Sequence, residues 1–157
     1  MTRRVFISYE GEDRNRAKGF RLLKWNSNVE LDIFDRHLLD PVQSQDREYV
    51  KRCIREQMHG CSTIVVLIGG KTAQSDWVDW EIRYAISQGK GVLGIIVKDG
   101  GVVEVPAALK ETGAEVIPWQ PEKFNEAIDR AAETAGYVGS PASAPGGSAG
   151  QGTGCAR

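Results

Sequence analysis

Short apolar runs and helical stripes alternate along this chain. Thr63–Ile68 (TIVVLI) is β-branched and almost wholly apolar, as a strand covered on both faces has to be. Residues 92–97 are a second run of the same kind. Between them Val78, Ile82, Ala85 and Ile86 recur at helical spacing, so one stripe of an intervening helix can lie on a sheet. A buried strand, a crossover helix and a second buried strand make a βαβ unit, for which a right-handed connection is expected.

The alternation continues on both sides. Residues 4–9 (RVFISY) predict a first strand, followed by a polar turn at 10–13 and a helix with Ala17, Phe20 and Leu23 facing inward. Residues 29–34 (VELDIF) alternate only partly, as in a strand nearer an edge. A polar loop over 35–45, containing Pro41, is longer than most such connections, which marks it for function or movement. Asp46 is placed to cap a helix running to about His59, with Gly60 as its stop. Farther on, 106–111 predict one or two helical turns and 114–117 a short last strand. Pro121 then opens a helix whose inner face is Phe124, Ala127, Ile128 and Ala131, ended by Gly136.

Strands alternating with helices predict an α/β, three-layer, flavodoxin-like domain with a five-stranded parallel sheet of order 2-1-3-4-5. Such an order opens a crevice at the carboxyl ends of strands one and three, bordered by Ser8, Tyr9, Asp35 and the loop before Trp77. The domain takes residues 1–137. Residues 138–157 are Gly, Ser, Ala and Pro with almost no large apolar side chain, too little to offset their ordering entropy, so a disordered and dispensable tail is expected.

Composition narrows the function classes. With 20 basic and 21 acidic residues the formal charge is −1, which makes no electrostatic case for nucleic acid or an anionic membrane. Cys53, Cys61 and Cys155 stand at no metal-ligand spacing, and with only His37 and His59 beside them no metal site is expected. Cys53, next to Val50, Ile54 and Met58, reads as a small buried residue. No segment has the length of a signal peptide core or a membrane span, which points to a cytoplasmic protein. Arg14, Lys18 and Arg21 line one helix face and read as solvated surface.

Two nucleotide motifs fail on inspection. Gly69-Gly70-Lys71-Thr72 ends like a phosphate-binding loop, but Val65 stands where its first glycine belongs. Gly89-Lys90-Gly91-Val92-Leu93-Gly94 has the dinucleotide spacing, yet it follows a helix and precedes a strand, the reverse of what that fingerprint needs. The remaining chemistry gathers at Glu81. A glutamate on a surface helix is ordinarily just solvated, and Trp77 and Trp80 ordinarily just pack. Here, however, Trp77 lies four residues before Glu81 and Tyr84 three after, so the three share a face near the strand ends. Aromatic faces beside a carboxylate can hold a flat heterocycle and keep water away.

The strings VFISY with Asp13 following, and SDWVDWE over 75–81, resemble the first signature and the catalytic-helix signature of TIR domains. Phe34, then Asp46-Arg47-Glu48-Tyr49-Val50, then Trp77 to Ile82, are similar to the branch that includes the ThsB component of the Thoeris antiphage system. The resemblance covers roughly residues 3–135. It implies cleavage of the bond between nicotinamide and ribose in NAD+, with NAD+ as substrate and no cofactor. It assigns the catalytic role to Glu81 and substrate contacts to Ser8, Tyr9, Asp35 and Trp77. Phe6 is a further candidate, although a strand residue there can equally be core, and Tyr84 joins the set as an aromatic neighbour.

The same resemblance implies a cyclic ADP-ribose-type product that signals to a separate effector, a phage-derived trigger, and a site completed by other TIR-like protomers. Two departures stand out: Val78 occupies a position often held by cysteine, and Pro41 is followed by Val42 where receptor-type domains carry glycine. Two rival readings are a non-catalytic TIR-type interaction module and a nucleoside deoxyribosyltransferase-like enzyme.

Overall fold

A computed structural model describes residues 3–25, 31–35, 46–97 and 101–135. The expected loop beyond Asp35, the helix stop at Gly136, the domain boundary at 137 and the tail over 138–157 lie outside the described residues.

Five strands, β1 (Arg3–Ser8), β2 (Leu31–Asp35), β3 (Thr63–Ile68), β4 (Gly91–Ile96) and β5 (Glu115–Pro118), form one sheet in the order β2-β1-β3-β4-β5. Every neighbouring pair is parallel. The helices are α1 (Arg14–Arg21), α2 (Arg47–Met58), α3 (Asp76–Ser87), α4 (Ala107–Thr112) and α5 (Phe124–Thr134). The strands begin or end one residue away from the expected positions in several places, while β3 matches its apolar run throughout.

The period-2 alternation of the strands divides the core in two. Phe6, Ile64, Val66 and Ile68 face a layer built from α2, α3 and α4. Val5, Ile7, Val65 and Leu67 face the opposite layer, built from α1 and α5. All six residues of β3 are buried, which is why that strand reads as a continuous apolar run and not as an alternating one.

Local signals place the helix ends. The Asp46 carboxylate accepts a hydrogen bond from the Tyr49 amide at 3.1 Å and caps α2. Gly60 adopts φ +87 just past that helix, a conformation that costs other residues a steric penalty. Ile86, expected on the inner stripe of α3, is instead 38 % exposed. It flanks that stripe in the last turn of the helix. In α5 the fully buried position of the last turn is Ala132, with Ala131 half-buried beside it.

Glycine at 91 is required by close approach. A Cβ there would lie 2.5 Å from the main-chain carbon and oxygen of Ala131, backbone that cannot swing aside. Gly91→Ala is therefore expected to cost about 1–3 kcal/mol by overpacking. A lowered midpoint in urea with an unchanged slope would show it.

Candidate active site

The β3–α3 connection is built for a sharp helix start. A short 3-10 turn, Thr72–Gln74, precedes Ser75, whose hydroxyl accepts from the Val78 amide at 3.2 Å and caps α3. One turn and a half into this helix stands Glu81, with 0 % of its surface exposed. The Ser8 hydroxyl donates to Glu81 Oε1 at 2.8 Å. Ser8 ends β1 and is itself buried, two residues beyond Phe6 on the same side of the sheet. A carboxylate removed from water is costly unless hydrogen bonds replace its hydration, and the Ser8 hydroxyl supplies one at Oε1.

The other expected site residues separate into groups. Tyr9, one residue past Ser8, packs into the α1–α5 cluster on the opposite side of the sheet and is 3 % exposed. Tyr9 follows the last residue of β1 and continues the alternation of side chains between the two faces. Phe6 is fully buried in the α2–α4 core. Asp35 closes β2 with its backbone paired to Ile7, and its side chain lies outside the described residues. Trp77 and Tyr84 are half-buried, and both are linked through Trp80: Trp77 meets it edge-on at 6.1 Å, and Tyr84 stacks on it at 5.4 Å.

That aromatic ladder faces cations of α2. The Arg47 guanidinium lies 4.8 Å from the Trp77 ring centre and the Lys51 ammonium 5.6 Å from that of Trp80. Sequence reasoning missed Arg47 and Lys51. The available signal was their i, i+4 spacing on a helix preceding one with aromatic residues at matching intervals.

A second carboxylate borders the same edge. Asp13, at the start of α1, receives the Thr72 hydroxyl at 3.4 Å. Its carboxyl is held above the ordinary value of 3.8, chiefly by burial and then by Glu12 and Glu10, while the Thr72 hydrogen bond and Arg16 pull it down. The native state thus holds this proton more tightly than the unfolded chain. The contribution to stability is fully present below 3.8 and is lost as pH rises through the folded value. Asp13→Asn is expected to gain stability relative to wild type as pH rises from about 4 to neutrality, which urea melts at the two ends of that range would check.

The described residues also leave a cleft of about 420 Å³ beside Lys90, Gly91, Thr112, Glu115 and Arg130. It lies at the amino ends of β4 and β5, the far end of the sheet from Glu81. Its cations are engaged: Lys90 donates to the Cys61 carbonyl at 2.8 Å, and Arg130 binds both Glu115 oxygens at 3.1 and 2.8 Å. Among the described residues no group of three or more His, Cys, Asp or Glu side chains could hold a metal ion. Nor is any helix there long and apolar enough to cross a membrane.

The parallel α/β sheet defines a fold shared with TIR-type domains. The TIR domain of the Toll-related receptor TRR-2 from Hydra magnipapillata superposes with a TM-score of 0.51 at 16 % identity, over 80 % of this chain and 91 % of that one. The SEFIR domain of interleukin-17 receptor B gives 0.54 at 9 % identity, over 85 % and 97 %. At such identities the likeness speaks for the fold alone. Residues 6–100 match the family described as Thoeris protein ThsB, TIR-like domain, and the chain belongs to that family. A protein of Bacillus cereus (strain MSX-D12), named "Putative cyclic ADP-D-ribose synthase ThsB1", is 29 % identical over 100 residues, which are 60 % of this chain and 52 % of that protein. The chain spans about half the length of this curated relative.

Proposed function

We propose that this chain is a TIR-like enzyme that cleaves NAD+ and forms a cyclic ADP-ribose-type signal in antiphage defence, with Glu81 as its catalytic carboxylate. The observation that carries the reading is the buried Glu81, hydrogen-bonded by Ser8 at the carboxyl end of β1. In a flavodoxin-like order this is the edge where the crevice between β1 and β3 opens. The printed name of the Bacillus cereus relative supports the same chemistry.

The reaction suits one carboxylate. The C–N bond between ribose and nicotinamide breaks with its electron pair going to nicotinamide, which leaves as a neutral molecule and needs no general acid. The ribose carbon becomes oxocarbenium-like, and a fixed anion stabilises that developing charge. Attack by an acceptor within the same ADP-ribose moiety closes a ring and releases a proton; attack by water gives ADP-ribose and a proton.

Because Glu81 has no exposed surface, ribose reaches it only after local opening at this edge. Assembly with other TIR-like protomers, driven by a phage-derived trigger, supplies that opening. The product then acts on a separate effector in the cytoplasm. NAD+ is the substrate, and the chemistry calls for no metal or resident cofactor.

The test incubates the purified chain with NAD+, with and without filtered lysate of phage-infected cells, and follows nicotinamide and cyclic products by chromatography. Nicotinamide release matched by a cyclic product is expected in the triggered sample. Absence of release from the assembled protein would instead favour the interaction-module reading.

A further inference from the structure

We propose that Asp13 and Thr72 are positioning residues for Glu81: with Gly69 they clasp the segment after β1 to the segment after β3, and so hold the helix that carries the carboxylate. The inference rests on the reading of Glu81 as the reacting group.

The clasp joins two strands' exits at one edge of the sheet. β1 and β3 are neighbours, with Ser8 opposite Val66. Five residues past Ser8 stands Asp13, and directly past β3 stands Gly69. Thr72 is 1 % exposed and sits between them. Its hydroxyl accepts the Gly69 amide at 2.7 Å. Its single proton lies between the Leu67 carbonyl at 3.2 Å and Asp13 Oδ2 at 3.4 Å.

Gly69 makes the approach of Asp13 possible. A Cβ on Gly69 would fall onto the carboxylate of Asp13, so the acid occupies the place that a side chain would take. Outside this contact Lys71 and Glu12 form a looser strap at 3.7 Å between the same two segments. That pair is exposed and adds little.

The consequence for the site follows from connectivity. Thr72 opens the turn that leads to Ser75, and Ser75 caps α3. The start of α3 is thereby tied to the exit of β1 by Asp13, and its second turn is tied to the end of β1 by the Ser8–Glu81 hydrogen bond. The buried stripe of Val78, Ile82 and Ala85 holds the helix on the sheet, and the two polar attachments add a fixed height and rotation in its first turns. A displacement on the order of 1 Å at a reacting group can cost about a hundredfold in rate.

Three sets of variants test this. Thr72→Val keeps the shape and removes the hydroxyl, while Thr72→Ser keeps the hydroxyl. Gly69→Ala is compared in the wild-type and Asp13→Ala backgrounds. Each protein is assayed for NAD+ turnover, for melting temperature and for amide hydrogen exchange over residues 69–78. Thr72→Val is expected to lower kcat about tenfold or more with KM within about twofold, and to speed exchange at Gly69, with Thr72→Ser restoring both. Gly69→Ala is expected to harm the wild type and to have no further effect once Asp13 is alanine, because the Cβ then has room.

Additive effects of the Gly69 and Asp13 changes would overturn the clasp. So would variants that melt earlier but keep kcat per folded molecule, the mark of a purely structural contact. If the wild type turns over no NAD+ in any assembled state, the reading of Glu81 fails. Hydrogen exchange then decides the clasp separately, and unchanged exchange in Thr72→Val overturns it.

Discussion

On the proposed reading, Glu81→Gln is expected to lower NAD+ turnover on the order of a hundred- to a thousandfold, about 3–4 kcal/mol of transition-state stabilisation, and to leave the melting temperature at or above that of the wild type. The two halves of this expectation have one cause. Glutamine matches the shape of glutamate, and its carbonyl oxygen can still accept from the Ser8 hydroxyl, which sits 2.8 Å from Oε1. What disappears is the negative charge. A charge at a fully buried position loses its hydration, so folding is expected to tolerate its removal. In the proposed reaction the ribose cation would have no such tolerance, since an anion facing it is worth most where water is excluded. The drop should fall on kcat, because the charge develops only as nicotinamide departs. Single-turnover release of nicotinamide, followed by chromatography beside a thermal melt of the same preparation, measures both halves. Undiminished release by Glu81→Gln would place the catalytic anion elsewhere.

Phe124→Ala is expected to have the largest effect on stability, about 3–5 kcal/mol, with turnover per folded molecule unchanged. Phe124 is fully buried and stacks on Phe20 at 5.5 Å, while Trp119 meets it edge-on at 5.3 Å. Truncation removes the ring's burial and leaves a cavity among side chains held by a sheet on one side and helices on the other. The cluster lies on the α1–α5 side, so the sheet itself separates it from Glu81. Against a typical total of about 5–15 kcal/mol this is a large share, so a melting temperature lower by on the order of 10 °C is expected. Calorimetry or a urea melt measures it. A loss below about 1 kcal/mol would mean that the three rings repack around the gap.

Gly69 and Gly91 show where sequence patterns stop being readable. Both lie in motifs that imitate nucleotide-binding loops, and sequence context sufficed to reject those readings. What the glycines are for was not legible. Gly91 leaves room for the backbone of α5 at Ala131, and Gly69 leaves room for the acid of Asp13, contacts that no local spacing announces. The aromatic residues of α3 behave alike. Spacing placed Trp77 and Tyr84 beside Glu81, but Trp80 links their rings and the cations that complete the ladder come from α2.

Sequence alone determined the succession of strands and helices, the cap at Asp46, the fully buried character of β3 and the placing of Glu81 on a helix after it. These depend on period and on neighbours within a few residues, which a chain displays directly. Only the tertiary structure decided that Ser8 and Tyr9, adjacent in the chain, serve opposite layers, that Ser8 meets Glu81 across 73 residues, and that Asp13 reaches Thr72 across 59. Such contacts depend on how strands register and on how closely a helix settles on them. Those distances follow from packing the whole core at once, so no single segment carries them.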